Sequence, residues 1–328
     1  MATSVVPDAI LKELAALWTQ EGKQGDAGVL RACSMTLLVL AEIEDDAAAL
    51  GETMAALMPE HPARSILIRV RTDGERALSE RVYQQCWKPF GQRQQICCEQ
   101  IELTASDAAL GDLPSVILPL AVPDLPVILW CRSSRLVRHP EFRAIAATAT
   151  KVVIDSDGAA SVPGAIQQMA GAVHRGGLIA DLAWTRLTRW RETLARVFEN
   201  RDTLARLAEV TGVRVSYGPG YETAAWYLAA WAAGALEDVG QKVAPVVEPQ
   251  HGSLALELAG EGFRVSLSRD ADRLISVVNE QSNCTNLPRP TDYLLMREEL
   301  SIVRRDAVFE RALVRAARLA ASGKSGKS

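Results

Sequence analysis

The chain has 328 residues, and its 36 Lys+Arg against 40 Asp+Glu leave a formal charge of −4. That length points to two domains. With 48% hydrophobic and 23% charged residues, the composition is that of a globular protein. It excludes a disordered chain, a collagen and a coiled-coil rod, and argues against a broadly basic nucleic-acid binder.

The opening MATSVVPDAILKELAALW lacks a basic leader, and Asp8, Lys12 and Glu13 interrupt any apolar run, so no signal peptide is expected. Ile10, Leu11, Leu14, Leu17 and Trp18 recur at helical spacing over residues 8–20. A polar linker, EGKQGDAG, precedes a β-like run from Ser34 to Leu40 and a helix over residues 45–58 that Pro59 and Pro62 end. A strand is expected over Ser65 to Val70. Residues 81–87 and 94–103 alternate as an antiparallel pair joined by a Pro89–Gly91 turn. The most apolar stretch, LPSVILPLAVPDLPVILW at 113–130, approaches the length of a membrane span. Its four prolines and Asp124 would leave backbone groups unpaired in lipid, so it reads as a buried helix, a Pro-Asp turn and a buried strand. No membrane association is expected.

Further on, residues 139–148 read as a helix, Lys151 to Ile154 as a strand and 162–174 as a helix. Arg175-Gly176-Gly177 marks the expected domain boundary. Asp181 stands where an N-cap belongs, ahead of a helix to about residue 199 and a second over 201–210. Val213 to Tyr217 reads as a strand and 221–236 as a helix. A strand-rich region follows over 243–279, then a last helix over 305–320. The expected fold class is α/β in the mixed α+β sense, with two domains, each a mixed sheet with helices packed on it. An N-terminal α/β domain would span residues 1–178 and a C-terminal α+β domain residues 179–321. The low-complexity end, 322–328, would be a disordered tail.

The chemistry-bearing residues give no strong catalytic motif. The six cysteines form no CxxC pair, and none of the four histidines lies near a cysteine at zinc-ligand spacing. Cys33, Cys86 and Cys131 read as buried thiols. The adjacent Cys97 and Cys98 would face opposite ways on a strand and so not bond to each other. A cytosolic, mostly reduced protein is the natural inference. Gly218-Pro219-Gly220 mimics the start of a dinucleotide fingerprint, but Thr223 stands where the third glycine belongs, so a strand-to-helix turn is the simpler reading. Asp124 sits in a proline-framed turn, either exposed at the end of a parallel strand or bonded to its own turn. His61 and Arg64 flank a strand start and could meet an anion. Between Asp181 and Phe198, Trp184, Leu187, Trp190, Leu194, Val197 and Phe198 share one face. Arg186, Arg189 and Arg196 fall on the solvated side. Arg191 projects near the apolar arc, where a guanidinium needs a carboxylate, carbonyl, phosphate or aromatic partner. Residues 41–60 hold six acids and no base. Residues 301–328 hold seven bases against two acids. Both read as solvated faces or as charge that steers a protein partner.

Four stretches resemble the glucose-6-phosphate dehydrogenase assembly protein family, also called OpcA. They are HPARSILIRV at 61–70, LPSVILPLAVPDLPVILW at 113–130, DLAWTRLTRWRETLARVF at 181–198 and LPRPTDYLLMREEL at 287–300. The third is the most specific, through Asp181, Leu182, Trp184, Arg186, Leu187, Thr188, Trp190 and Arg191. Cys131 stands where a second Trp is common in the family, and Arg189 where a Pro is common. The resemblance implies a non-catalytic partner of glucose-6-phosphate dehydrogenase that aids assembly of the active oligomer or activates it allosterically, with no cofactor and no metal. Exposed aromatic and Arg residues would be the anchors. The partner-binding candidates are Trp184, Arg186, Arg189, Trp190, Arg191, Asp124 and Trp130. The candidate anion contacts are His61, Arg64, Gly218 and Gly220, for a sugar-phosphate effector. The alternatives are a sugar-phosphate enzyme of α/β type, lactonase- or isomerase-like, and an effector-binding regulator without chemistry.

Overall fold

The computed structural model describes residues 5–24, 29–72, 74–87 and 95–322. The chain forms two compact units, both mixed α/β. One is Met1–Ile154 with Asp292–Val303, the other Asp155–Thr291 with Arg304–Ser328.

The first unit is built on seven strands: β1 (Val29–Arg31), β2 (Met35–Glu42), β3 (Ala63–Arg71), β4 (Leu78–Trp87), β5 (Gln95–Ser106), β6 (Val127–Cys131) and β7 (Lys151–Ile154). Their order is β1-β5-β3-β2-β6-β7, with β4 paired to β5. Every pair is parallel except β4–β5. The central strands are apolar almost throughout. Leu37, Leu38, Val39 and Leu40 on β2 and Ile66 and Ile68 on β3 are buried, as parallel strands covered on both faces require. Helix Ala47–Leu57 carries the crossover from β2 to β3, and helix Leu113–Leu120, with Pro114 in its first turn, leads toward β6. The chain thus steps outward through β2, β3 and β5, then returns to the other side of β2 for β6 and β7. This is the path of a doubly wound sheet.

Buried ions fasten the unit. Glu99 accepts from Arg64 Nε at 2.5 Å and Trp18 Nε1 at 2.7 Å, and pairs with Arg31 at 2.8 Å. A carboxylate so placed is tolerable only because each of its oxygens is compensated. Lys151 Nζ, equally buried, donates to the Glu299 carboxylate and to the Glu299 and Ile302 carbonyls. That clasp holds helix Asp292–Ser301 to the first unit.

In the second unit, helix Val162–His174 precedes β8 (Leu178–Asp181). The sheet of this unit contains β9 (Val210–Tyr217), β10 (Pro245–Pro249), β11 (Ala255–Gly260), β12 (Phe263–Asp270), β13 (Arg273–Val278) and β14 (Gln281–Asn286), in the order β10-β9-β11-β12-β13-β14. Only β10–β9 is parallel. Burial alternates along β9, β11 and β12, so one face is core and the other is not. Helix Glu222–Asp238 packs on β9, β10 and helix Ala307–Ala321. Trp184, Tyr227 and Phe309 meet in the core with ring centroids 5.6–6.1 Å apart.

Several expectations are corrected. By packing, the compact units divide at Ile154/Asp155, while the stretch expected to mark the domain boundary holds Gly176 (φ 91°), which ends helix Val162–His174. The expected helix over 139–148 is shorter, Phe142–Ala146, and a separate short helix, Ser134–Val137, precedes it. The helix expected from Asp181 to residue 199 is two, Leu182–Thr185 and Thr188–Val197. Residues 21–24 of the expected linker continue helix Pro7–Gln24. Linker residues 25–28, the Pro89–Gly91 turn and tail residues 323–328 lie outside the described residues. No helix among the described residues is long and apolar enough to cross a membrane.

Cys86 is not a buried thiol. It faces Cys97 directly across the β4–β5 pair, with Cα atoms 4.0 Å apart, and the two form a disulfide. Register decides this: the pairing brings residues 86 and 97 opposite each other, which spacing along the chain does not reveal. Cys33, Cys98, Cys131 and Cys284 are free. Thiol titration of the denatured, unreduced protein is expected to count four thiols, and six only after reduction. A count of six without reductant would remove the bridge.

Candidate functional site

Carboxylates and arginines gather at two places, one in each unit. In the first unit they lie at the carboxyl ends of the parallel strands. Arg135, in the short helix after β6, donates through Nε and Nη2 to Glu42, the last residue of β2, at 2.9 and 2.5 Å. Its Nη1 reaches both oxygens of Asp107, just past β5, at 2.9 and 2.8 Å. The Ser133 hydroxyl also donates to Glu42. Arg132 pairs with Asp292 and lies 3.8 Å from Asp45, and its guanidinium sits 4.9 Å from the Trp130 ring centroid. These side chains link the turns after β2, β5 and β6 with the start of helix Asp292–Ser301.

In the second unit the centre is Asp181. It is fully buried at the end of β8 and accepts from Ser156 N at 3.1 Å, the Ser156 hydroxyl, Ala183 N at 3.0 Å and Tyr227 OH at 2.7 Å. The Ala183 bond makes it the N-cap of helix Leu182–Thr185, as its position in the sequence predicts. Beside it, Arg186 clasps Asp155 at 2.6 and 2.8 Å and Asp157 at 2.9 Å. Burial, opposed by the bonds from Ser156 and Tyr227, pushes the Asp181 carboxyl up to about 6. Burial and the neighbouring Asp155 push Asp157 up to about 7 against the pull of Arg186. Asp157 Oδ1 is buried without a hydrogen bond, so one of its oxygens has nothing to hold its charge. No group of three or more His, Cys, Asp or Glu side chains among the described residues is placed to hold a metal ion.

The structure scatters the residues singled out from the sequence. Trp130, Trp184 and Trp190 are 1–3% exposed, so they pack the interior and cannot meet a partner at the surface. Arg186 is not on a solvated face. The helix breaks at Arg186-Leu187, the rotational phase is lost there, and the side chain turns to its two aspartates. Arg191 places its guanidinium 3.8 Å from the Trp184 ring centroid and donates to the Thr188 hydroxyl at 2.8 Å. Its partner is an aromatic face of its own unit. Arg189 alone of this group is solvated, with its side chain 68% exposed beside Glu192. Asp124 is an exposed turn residue with φ 63°, ahead of β6 and therefore at the amino end of the parallel strands. Arg64 is spent on Glu99 and on the Leu120 carbonyl at 2.7 Å, so it offers no anion contact. His61 closes the turn after helix Ala47–Leu57 through its backbone N–H on Leu57 O. Gly218 donates to Ser253 O, and a side chain there would collide with Gly252 O at 1.6 Å. Gly220 needs its φ of 79°. Both glycines serve the turn. Sequence reasoning missed Arg135, Glu42, Asp107, Asp155 and Asp157, whose partners lie 28–93 residues away.

A pH dependence follows. An unfolded aspartate titrates near 4, so between about pH 4 and 7 the folded state binds more protons than the unfolded one. Stability contributed by the protonated pair is present below that window and is lost as pH rises through it. Urea melts of Asp157→Asn are expected to show a shallower loss of stability over this range than the parent. An unchanged slope would show that Asp157 does not titrate there.

Two family profiles match the chain in order. The glucose-6-phosphate dehydrogenase subunit N-terminal domain covers residues 54–171 and the C-terminal domain of the same subunit residues 178–313. Among curated proteins, an OxPP cycle protein OpcA of Synechocystis sp. is 26% identical over 191 residues, covering 57% of this chain and 39% of that protein. Its namesake in Nostoc punctiforme is 30% identical over 142 residues, covering 43% of this chain and 30% of that protein. The matched segment thus spans well under half the length of these relatives. Among solved structures, an NAD binding oxidoreductase from Klebsiella pneumoniae superposes with a TM-score of 0.50 over 88% of this chain and 96% of that one. At 12% identity the likeness is one of fold.

Proposed function

Since the chain belongs to the OpcA family of glucose-6-phosphate dehydrogenase subunits, we propose that it is a non-catalytic partner that binds the dehydrogenase directly and favours its active assembly. The observation that carries this reading is the ordered match of both subunit domains across residues 54–171 and 178–313. The site chemistry supports it. The motif residues Asp181, Trp184, Arg186, Trp190 and Arg191 are consumed in packing and internal pairing, not aimed at a common reacting atom. The reading as a sugar-phosphate enzyme has no such support, since Gly218, Gly220 and Arg64 are tied up in the fold.

A partner of this kind acts by binding one state of the dehydrogenase more tightly than another, and only that difference shifts the population. Its interface must use side chains the fold leaves outside. Arg189, which stands within this stretch where a Pro is common in the family, meets this condition, and arginine is a favoured interface anchor. The buried tryptophans act at one remove, by holding the helix that presents it.

The test is a titration of the cognate dehydrogenase with this chain, following rate and particle mass. A saturable rise in rate or mass at micromolar concentration is expected. Arg189→Glu should raise the half-maximal concentration by about tenfold, with little change in thermal unfolding. Trp190→Ala should instead cost about 3–5 kcal/mol of folding stability. Absence of any saturable effect would reject direct binding. An unchanged titration with Arg189→Glu would move the interface elsewhere.

A further inference from the structure

Doubly wound sheets bind ligands outside the carboxyl ends of the strands, where the strand order reverses. In the first unit that point lies between β2 and β6. The fold therefore implies a dinucleotide there, and the residues can be tested against one. A pyrophosphate needs a glycine turn after the first strand so that the backbone can approach it. It also needs free amides at the following helix N-terminus and no opposing charge.

The turn after β2 meets none of these needs. It reads Glu42-Ile43-Glu44-Asp45-Asp46, and the first glycine, Gly51, already lies inside helix Ala47–Leu57. Asp46 Oδ1 accepts from Ala48 N at 2.9 Å and Ala49 N at 3.2 Å, so a carboxylate of the chain itself holds the amides a phosphate would use. Glu42 N donates to Asp45 Oδ2 at 3.0 Å. Arg69, near the end of β3, is turned onto the carbonyls of Ile43 at 2.6 Å and Asp45 at 3.3 Å. Its positive charge therefore braces the turn. Glu42 and Asp107 share the single positive charge of Arg135, so the crevice keeps a net negative charge.

We propose that this crevice is closed to NAD(P) and has become an internal electrostatic latch, with Arg135 joining the turns after β2, β5 and β6. A bound dinucleotide would have to displace Asp46 from the helix amides and bring phosphate charge against Glu42, Asp45 and Asp107. The inference stands apart from the dehydrogenase reading, because it concerns this chain alone.

Two measurements on the full chain decide it. Calorimetric titration with NADP+, NADPH, NAD+ and NADH up to about 1 mM is expected to show no saturable heat, and the same nucleotides should leave the melting temperature unmoved. Saturable binding of any of the four overturns the inference. Arg135→Gln is expected to lower the melting temperature by about 4 °C. Glu42→Gln combined with it should add less than its own separate effect, because both remove the same bond. A melting temperature of Arg135→Gln equal to that of the parent, or full additivity in the pair, overturns the latch.

Discussion

The second unit depends on keeping one ionisable group, Asp181, in its interior. Burying a carboxylate is costly unless its oxygens are matched, and here four donors match them. The donors come from separate stretches: the turn at Ser156, the helix begun at Leu182 and the long helix bearing Tyr227. Each stretch is fixed in place by the need to satisfy the same two oxygens. Trp184 then falls against Tyr227 and Phe309, and Arg191 against Trp184. Thr223 donates to the Ser156 carbonyl and closes the circuit. The residues that distinguish the family in this stretch therefore specify an interior more than a surface.

How much of this is legible in sequence depends on how far apart the interacting groups lie. Helix Val162–His174 and β7 match the expected limits, because apolar periodicity and capping residues are local signals. The N-cap at Asp181 was legible for the same reason. β14 was not: its residues QSNCTN are all exposed and carry no alternation. Helix Asp292–Ser301 is hard to see in the sequence because its periodicity is weak and one of its buried residues is Glu299, whose partner is Lys151. The arginines show the limit most plainly. The position of Arg191 beside the apolar arc is legible because Trp184 is only seven residues away. The direction of Arg186 does not follow from the spacing because the helix is broken beside it.

The two units handle charge differently. In the first, the carboxyl ends of the strands carry carboxylates in place of a glycine turn, and arginines from neighbouring turns pair with them. In the second, Arg186 is shared between Asp155 and Asp157, and one carboxyl oxygen is left unmatched. If the crevice is closed to a dinucleotide as proposed, a doubly wound sheet need not imply its usual ligand. The strand order is set by apolar strands and crossover helices, while ligand binding is set by a few turn residues that can change without disturbing them.

The clasp between Lys151 and helix Asp292–Ser301 also orders events in time. Residues 1–154 leave the ribosome well before residues 292–303, so the nascent first unit must wait with the ammonium group of Lys151 unmatched. The clasp can close only after most of the second unit has been synthesised. For the same reason no single cut releases an intact first unit, and a fragment ended at Ile154 would carry a charge whose partner lies on the discarded piece.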